Sequence, residues 1–164
     1  MLIGHFTERP YQDPDSGYFG ATGLPIKDLT LSNGIYDPVV GSNLYNRYLD
    51  EKIYAEEMGF DALMLNEHHS TPFCMGGAMN VEASILARIT KRAKIVLLGN
   101  ILPIWDDPLW LVEQLAMIDM ISKGRLVSGW VRGTGRESVS HNAPPAYNWE
   151  RFQEAHDFII KAWT

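Results

Sequence analysis

A single cysteine, Cys74, is all the thiol this chain has, so it forms neither an intrachain disulfide nor a multi-cysteine metal site. With no disulfide to preserve, a reducing compartment is the expected setting. Basic residues are also scarce. Lys and Arg number 14 against 20 Asp and Glu, a formal net charge of -6, which is the wrong balance for tracking a phosphate backbone. No stretch approaches the ~20 apolar residues of a membrane span, and Met1-Leu2-Ile3-Gly4-His5-Phe6 carries neither a basic leader nor a long apolar run. A cytoplasmic protein with no nucleic-acid or membrane partner is therefore expected. What is present is an ordinary globular composition, 46% hydrophobic and 21% charged over 164 residues, enough for one domain with a substantial core.

Short apolar runs alternate with amphipathic segments along the chain. Leu2 to Phe6 reads as a first strand. The connection from Thr7 to Ser42 is too rich in Gly and Pro for a helix, and is long enough to suggest a functional loop. A helix is predicted from about Asn43 to Met58, capped by Ser42 or Asn43 and stopped by Gly59. Asp61 to Leu65 follows as strand two, Val81 to Thr90 as a helix, and Ile95 to Leu98 as strand three. Asp106-Asp107-Pro108 is a helix start, because Asp accepts from free backbone N–H groups and proline loses nothing at the first helical position. That helix runs through Ile121 and ends at Gly124. Arg125 to Val131 is strand four, Arg132 to Tyr147 a loop, and a last helix begins at Asn148.

Four successive β-then-α units predict parallel pairing through right-handed crossovers. An open doubly wound sheet and a (β/α)8 barrel both fit. A doubly wound nucleotide fold would carry Gly-x-Gly-x-x-Gly after strand one, and His5-Phe6-Thr7-Glu8-Arg9-Pro10 lacks it. A barrel segment is therefore preferred. Eight units need ~250 residues, so these four are about the first half of one, with residues 1–164 as the N-terminal part of a single domain and 7–42 as a long insertion.

Chemistry in such folds gathers at the carboxyl ends of the strands. Strand two ends in Asn66-Glu67-His68-His69. Side chains alternate along a strand, so one imidazole faces the mouth while its neighbour packs elsewhere. An imidazole suits proton transfer or hydrogen bonding to a developing anion, with Glu67 placed to orient it. Taken alone, a structural cluster closing the strand end explains the same residues, and no third ligand at zinc spacing recurs, so no metal is expected. Strand three ends in Leu98-Gly99-Asn100, where a glycine permits close backbone approach and Asn100 offers a donor and an acceptor; taken alone, a tight strand-to-loop bend is the simpler explanation. Strand four ends in Val131-Arg132-Gly133-Thr134-Gly135-Arg136, two guanidinium groups and a hydroxyl among glycines with open backbone amides, suited to a phosphate, although a solvated glycine-arginine turn explains the same residues. Cys74 shows no sign of activation, and Asp106 and Asp107 are accounted for by capping.

The order and spacing of Gly59-Phe60-Asp61, Glu67-His68-His69, Gly99-Asn100-Ile101-Leu102-Pro103, Asp119, Ser122-Lys123-Gly124-Arg125-Leu126 and Arg132-Gly133 resemble the bacterial luciferase-like, flavin-dependent monooxygenases. The resemblance implies a (β/α)8 barrel that binds reduced FMN delivered by a separate flavin reductase. Dioxygen adds to that flavin, and the resulting peroxyflavin oxidises a small organic substrate. It further implies a catalytic role for His68, as base or hydrogen-bond partner near the flavin peroxide, with Glu67 beside it. Arg132, with Gly133 and Thr134, is implied at the FMN phosphate. Leu98, Gly99 and Asn100 are implied beside the flavin ring, where a non-proline cis peptide can occur. A homo- or heterodimer is expected. Val131 in place of a cysteine before Arg132, and the long 7–42 insertion, point away from light emission and toward a general alkane, aldehyde or other small-molecule monooxygenase. Two other functions share the pattern: an F420-dependent oxidoreductase on the same barrel, and a non-catalytic flavin-binding partner subunit.

Overall fold

The computed structural model describes residues 1–13 and 32–164. Most of the expected 7–42 insertion lies outside the described residues.

Four short strands form one parallel sheet: β1 (Gly4–Phe6), β2 (Ala62–Leu65), β3 (Lys94–Leu97) and β5 (Leu126–Val127), in that spatial order. A second parallel pair, β4 (Asn100–Ile101) with β6 (Trp130–Val131), continues the third and fourth strands beyond a break. Neighbours in sequence are neighbours in space, without the reversal of order that defines a doubly wound sheet. That is the arrangement of consecutive (β/α) barrel units.

The ladder register sorts side chains onto two faces. His5, Leu63, Ile95 and Leu126 lie in one row, and Leu63, Leu65, Ile95 and Leu97 are buried in the main core against α1 (Pro38–Glu57), α2 (Met79–Ile89), α3 (Pro108–Ser122) and α5 (Asn148–Trp163). The alternate row, Phe6, Met64, Val96 and Val127, lies on the other face and is partly exposed, Phe6 to 42% and Val127 to 46%. An apolar strand face without a covering layer is the inner, concave side of a barrel wall. No helix among the described residues is long and apolar enough to cross a membrane.

The helix α1 starts five residues earlier than the sequence reading placed it. Asp37 accepts from Val39 N at 2.8 Å and Val40 N at 3.0 Å, with Pro38 in the first helical position. This is the signal that also starts α3, where Asp107 accepts from Leu109 N at 3.0 Å ahead of Pro108. The buried stripe Gly41, Leu44, Tyr48, Lys52 and Ala55 then follows helical spacing.

Strand four is not continuous from Arg125 to Val131. It breaks at Ser128-Gly129, where a Cβ on Gly129 would stand 2.6 Å from the backbone oxygen of Leu97. The adjoining strand bends at Gly99, whose φ of 155° and whose packing against the Val131 side chain exclude a Cβ. All peptide bonds among the described residues are trans, so the glycine backbone makes this turn without the cis bond that the resemblance allowed. The segment Arg132 to Tyr147, expected as loop, contains the short helix α4 (Gly135–Ser140). Its Thr134-x-x-Glu137 capping box is a helix start hidden among turn residues.

Candidate active site

The strand ends bring four loops together, and their chemistry centres on His68. Its Nδ1 lies 3.0 Å from Glu137 Oε1, and its Nε2 lies 3.7 Å from Glu8 Oε2. Glu137 is 2% exposed and its other oxygen accepts from both the backbone N–H (2.5 Å) and the hydroxyl (2.6 Å) of Thr134. Burial pushes the Glu137 carboxyl up, but hydrogen bonds from His68 and Thr134 outweigh it and hold the group down at about 2. The hydrogen bond to Glu137 in turn raises His68 above the ordinary imidazole value, against partial desolvation and with help from Glu8. The imidazole keeps a quarter of its side chain open to solvent.

Behind this pair sits a buried ionic cluster. Arg9, fully buried and at a left-handed φ of 54°, donates to Thr7 O at 3.0 Å and to Asn66 O, so that one guanidinium ties the ends of β1 and β2. Its Nε lies 2.9 Å from Glu82 Oε2, close but not aligned as a hydrogen bond. Gly76 leaves room for the guanidinium, where any Cβ would collide. With Thr7 held, Glu8 reaches the Asn66 carboxamide and stands beside His68. Lys52 joins the cluster by donating to Met64 O at 2.7 Å. Cys74 is buried beside Arg9, and burial pushes its thiol up, the opposite of what a nucleophile needs.

His69 turns elsewhere. Its ring meets His141 edge to face at 4.3 Å between centroids and borders a separate cavity of 350 Å³. Glu67 was expected to orient His68. It instead accepts from Ile101 N at 2.8 Å, pinning the start of β4, and the nearest imidazole nitrogen to it, at 3.9 Å, belongs to His69. Glu137, 69 residues away in sequence, takes the orienting position.

The residues expected at a flavin divide into two groups. Leu98 is 40% exposed on the uncovered face, Gly99 lies against Val131, and Arg132 is exposed and makes no hydrogen bond or ion pair with the described residues. An apolar wall ending in a free guanidinium fits a flat ring that carries a phosphate. Asn100 and Thr134 do not extend that fit through their side chains. Asn100 is fully buried and its Nδ2 donates to Asn80 Oδ1 at 3.0 Å, while Asn80 Nδ2 donates to Gln114 Oε1. The amide and hydroxyl of Thr134 are both committed to Glu137, while Gly133, at φ 72°, turns the chain between Arg132 and that cap.

The sequence pattern of the family described as luciferase-like monooxygenase matches residues 38–164. The chain is 39% identical over 88 residues to the alkanal monooxygenase alpha chain of Photobacterium leiognathi, an alignment covering 53% of this chain and 24% of that protein. It is 27% identical over 117 residues to the alkanal monooxygenase beta chain of Vibrio harveyi, covering 71% and 36%. Its fold is similar to the FMN-bound oxygenating constituent of 3,6-diketocamphane monooxygenase from Pseudomonas putida, a type II Baeyer-Villiger monooxygenase. That match has a TM-score of 0.69 and 21% identity over 74% of this chain and 34% of that one. Monooxygenase RslO1 from Streptomyces bottropensis superposes with a TM-score of 0.73 at 22% identity, covering 99% of this chain and 42% of that one. The chain thus spans well under half the length of each of these relatives.

Proposed function

From the premise that the chain belongs to the luciferase-like monooxygenase family, we propose that it forms the flavin-binding and proton-handling part of a monooxygenase that uses reduced FMN, supplied by a separate reductase, and dioxygen to oxidise a small organic substrate. The observation that carries this reading is the His68–Glu137 pair at the strand ends, on the same edge as the uncovered wall and free Arg132. Bound reduced FMN would supply the electrons that activate dioxygen. The chain's residues do the rest.

Arg132 would hold the phosphate through charge-assisted hydrogen bonds, and Leu98 with Gly99 would form the apolar surface against the ring. His68, held by Glu137 through Nδ1, presents Nε2 for proton exchange. Its pKa is raised above the ordinary imidazole value, which favours the protonated form, so it serves best as a donor to oxygen that gains negative charge. Glu137 keeps the tautomer and orientation fixed and stays ionised throughout. Glu67, by binding Ile101 N, positions the strand end and takes no part in proton exchange. The same reading places the protein in the cytoplasm, working in a homo- or heterodimer.

The test is an anaerobic titration of the folded chain with reduced FMN, with F420 in parallel, followed by admission of ¹⁸O-labelled dioxygen and a panel of small organic substrates. Saturable binding of FMN and one ¹⁸O atom in product support the proposal. Binding of F420 alone, with hydride transfer and no label, would replace it.

A further inference from the structure

A cavity of 560 Å³ borders His68, distinct from the cavity at His69. Its wall contains the side chains of Tyr11, Tyr36, Tyr45, Ile35 and Met75. Two of the phenols are anchored away from it. Tyr11 OH accepts from Asp37 N at 2.8 Å and meets Asp13 Oδ2 at 3.2 Å, and Tyr45 OH donates to Glu82 Oε2 at 3.3 Å. Their polar ends are thus engaged by the protein; Tyr11 is fully buried and backs the wall, and the half-buried Tyr45 turns ring carbon toward the cavity. Tyr36 stacks at a tilt on Tyr11, 5.3 Å between centroids, and lies over Gly41 of α1, where a Cβ would strike its ring.

Among the described residues the wall has one group that ionises near neutrality, His68, and its charge is already matched by Glu137 and Glu8. Arg9 and Glu82 lie behind the wall, buried and paired. A charged ligand entering here would lose hydration without gaining a free counter-charge from the described residues. A flexible chain would lose rotamer freedom and gain little from aromatic walls, whereas a flat ring gains offset or edge contacts with tyrosine and the Met75 thioether.

We propose that this cavity is the substrate site and takes an uncharged, flat ring compound bearing one carbonyl or phenolic oxygen for His68. The word substrate rests on the monooxygenase reading; the ligand class rests on the cavity alone.

The experiment uses the whole chain without flavin, labelled at Met methyl groups and His rings, titrated by NMR with 2-naphthol, 2-naphthoate and 1-decanol. Saturable binding of 2-naphthol that shifts Met75 and His68 is expected, with the other two probes at least about tenfold weaker. Gly41→Ala suits a helix and should stay folded, yet must displace Tyr36, so it is expected to weaken 2-naphthol severalfold, as is Tyr36→Ala. Equal or tighter binding of 1-decanol or 2-naphthoate, binding indifferent to Gly41→Ala, or no binding of 2-naphthol overturns the proposal. The reduced-FMN titration is a separate readout. Intact FMN binding without 2-naphthol binding removes the substrate class and leaves the monooxygenase reading standing, and the converse result separates the two the other way.

Discussion

His68 Nδ1 and Glu137 Oε1 lie 3.0 Å apart across 69 residues of sequence, and the hydrogen between them joins the end of β2 to the first turn of α4. Because the other Glu137 oxygen closes the capping box of α4 by accepting from Thr134 N, one carboxylate both supports a helix start and raises the pKa of an imidazole.

Glu137→Gln preserves a side chain able to cap but removes the charge. The His68 pKa, followed by ring-proton NMR, is expected to fall, since desolvation is then opposed by Glu8 alone among the neighbouring acids. An unchanged titration would remove Glu137 from its orienting role. The pair also shapes stability against pH. Glu137 is lowered from 4.5 to about 2, so its contribution is present above 4.5 and is lost as pH falls through its folded value. His68 is raised from 6.5, so its contribution is complete below 6.5 and is lost as pH rises through its folded value. Urea midpoints measured across pH should show both limbs in the parent chain and weaker ones in Glu137→Gln, where Glu56, held down against burial by the backbone N–H groups of Ala93, Arg92 and Lys91, keeps part of the acid limb.

Arg132→Gln should change stability by no more than about 0.5 kcal/mol, because an exposed side chain without partners among the described residues holds nothing together. Affinity for reduced FMN should drop about tenfold or more, the scale of a lost charge-assisted contact. Reduced riboflavin, which has no phosphate, should bind both forms alike. Equal losses for the two flavins would place Arg132 away from the phosphate.

Within the buried cluster, two cations should respond oppositely to the same substitution. Arg9→Met leaves Glu82 buried without its closest partner and releases the carbonyls of Thr7 and Asn66, a loss of about 3–5 kcal/mol by urea denaturation. Lys52→Met, by contrast, should be neutral or stabilising at pH 7, since burial lowers that ammonium from 10.5 to about 8. Below about 8 the folded chain carries the buried charge. As pH rises from there to 10.5 the parent chain gains stability and any advantage of the variant shrinks.

Gly129→Ala should cost about 1–3 kcal/mol, because its Cβ would meet the fixed backbone oxygen of Leu97 and not a movable side chain. A midpoint unchanged in urea would mean that the break between β5 and β6 has slack.

The parallel units and the place of His68 were legible because hydrophobic runs, glycine stops and strand-end polarity are local signals. The start of α1 was legible too, since Asp37-Pro38 repeats the Asp107-Pro108 signal, but the surrounding breakers masked it. Glu137 carried a local helix-start signal in Thr134-x-x-Glu137, and nothing local said that its carboxylate would meet His68. Adjacency likewise misled for Glu67, which turns to the backbone of the next strand, and for Asn100, whose carboxamide enters a buried chain with Asn80 and Gln114. Only the tertiary register, with Gly99 and Gly129 letting two strands kink together, decides which side of the wall those side chains take.

His68 and His69 occupy successive positions at one strand end but serve different cavities, and that makes the length of this loop as consequential as its composition. Removing one residue between Leu65 and His68 would bring His69 to the place His68 holds and Ser70 to that of His69, whereas adding one would bring His68 to the place of His69 and set Glu67 against Glu137, in both cases with the two histidines still in the sequence. Substitutions here are graded in their effect. A single-codon insertion or deletion moves every side chain of the loop at once.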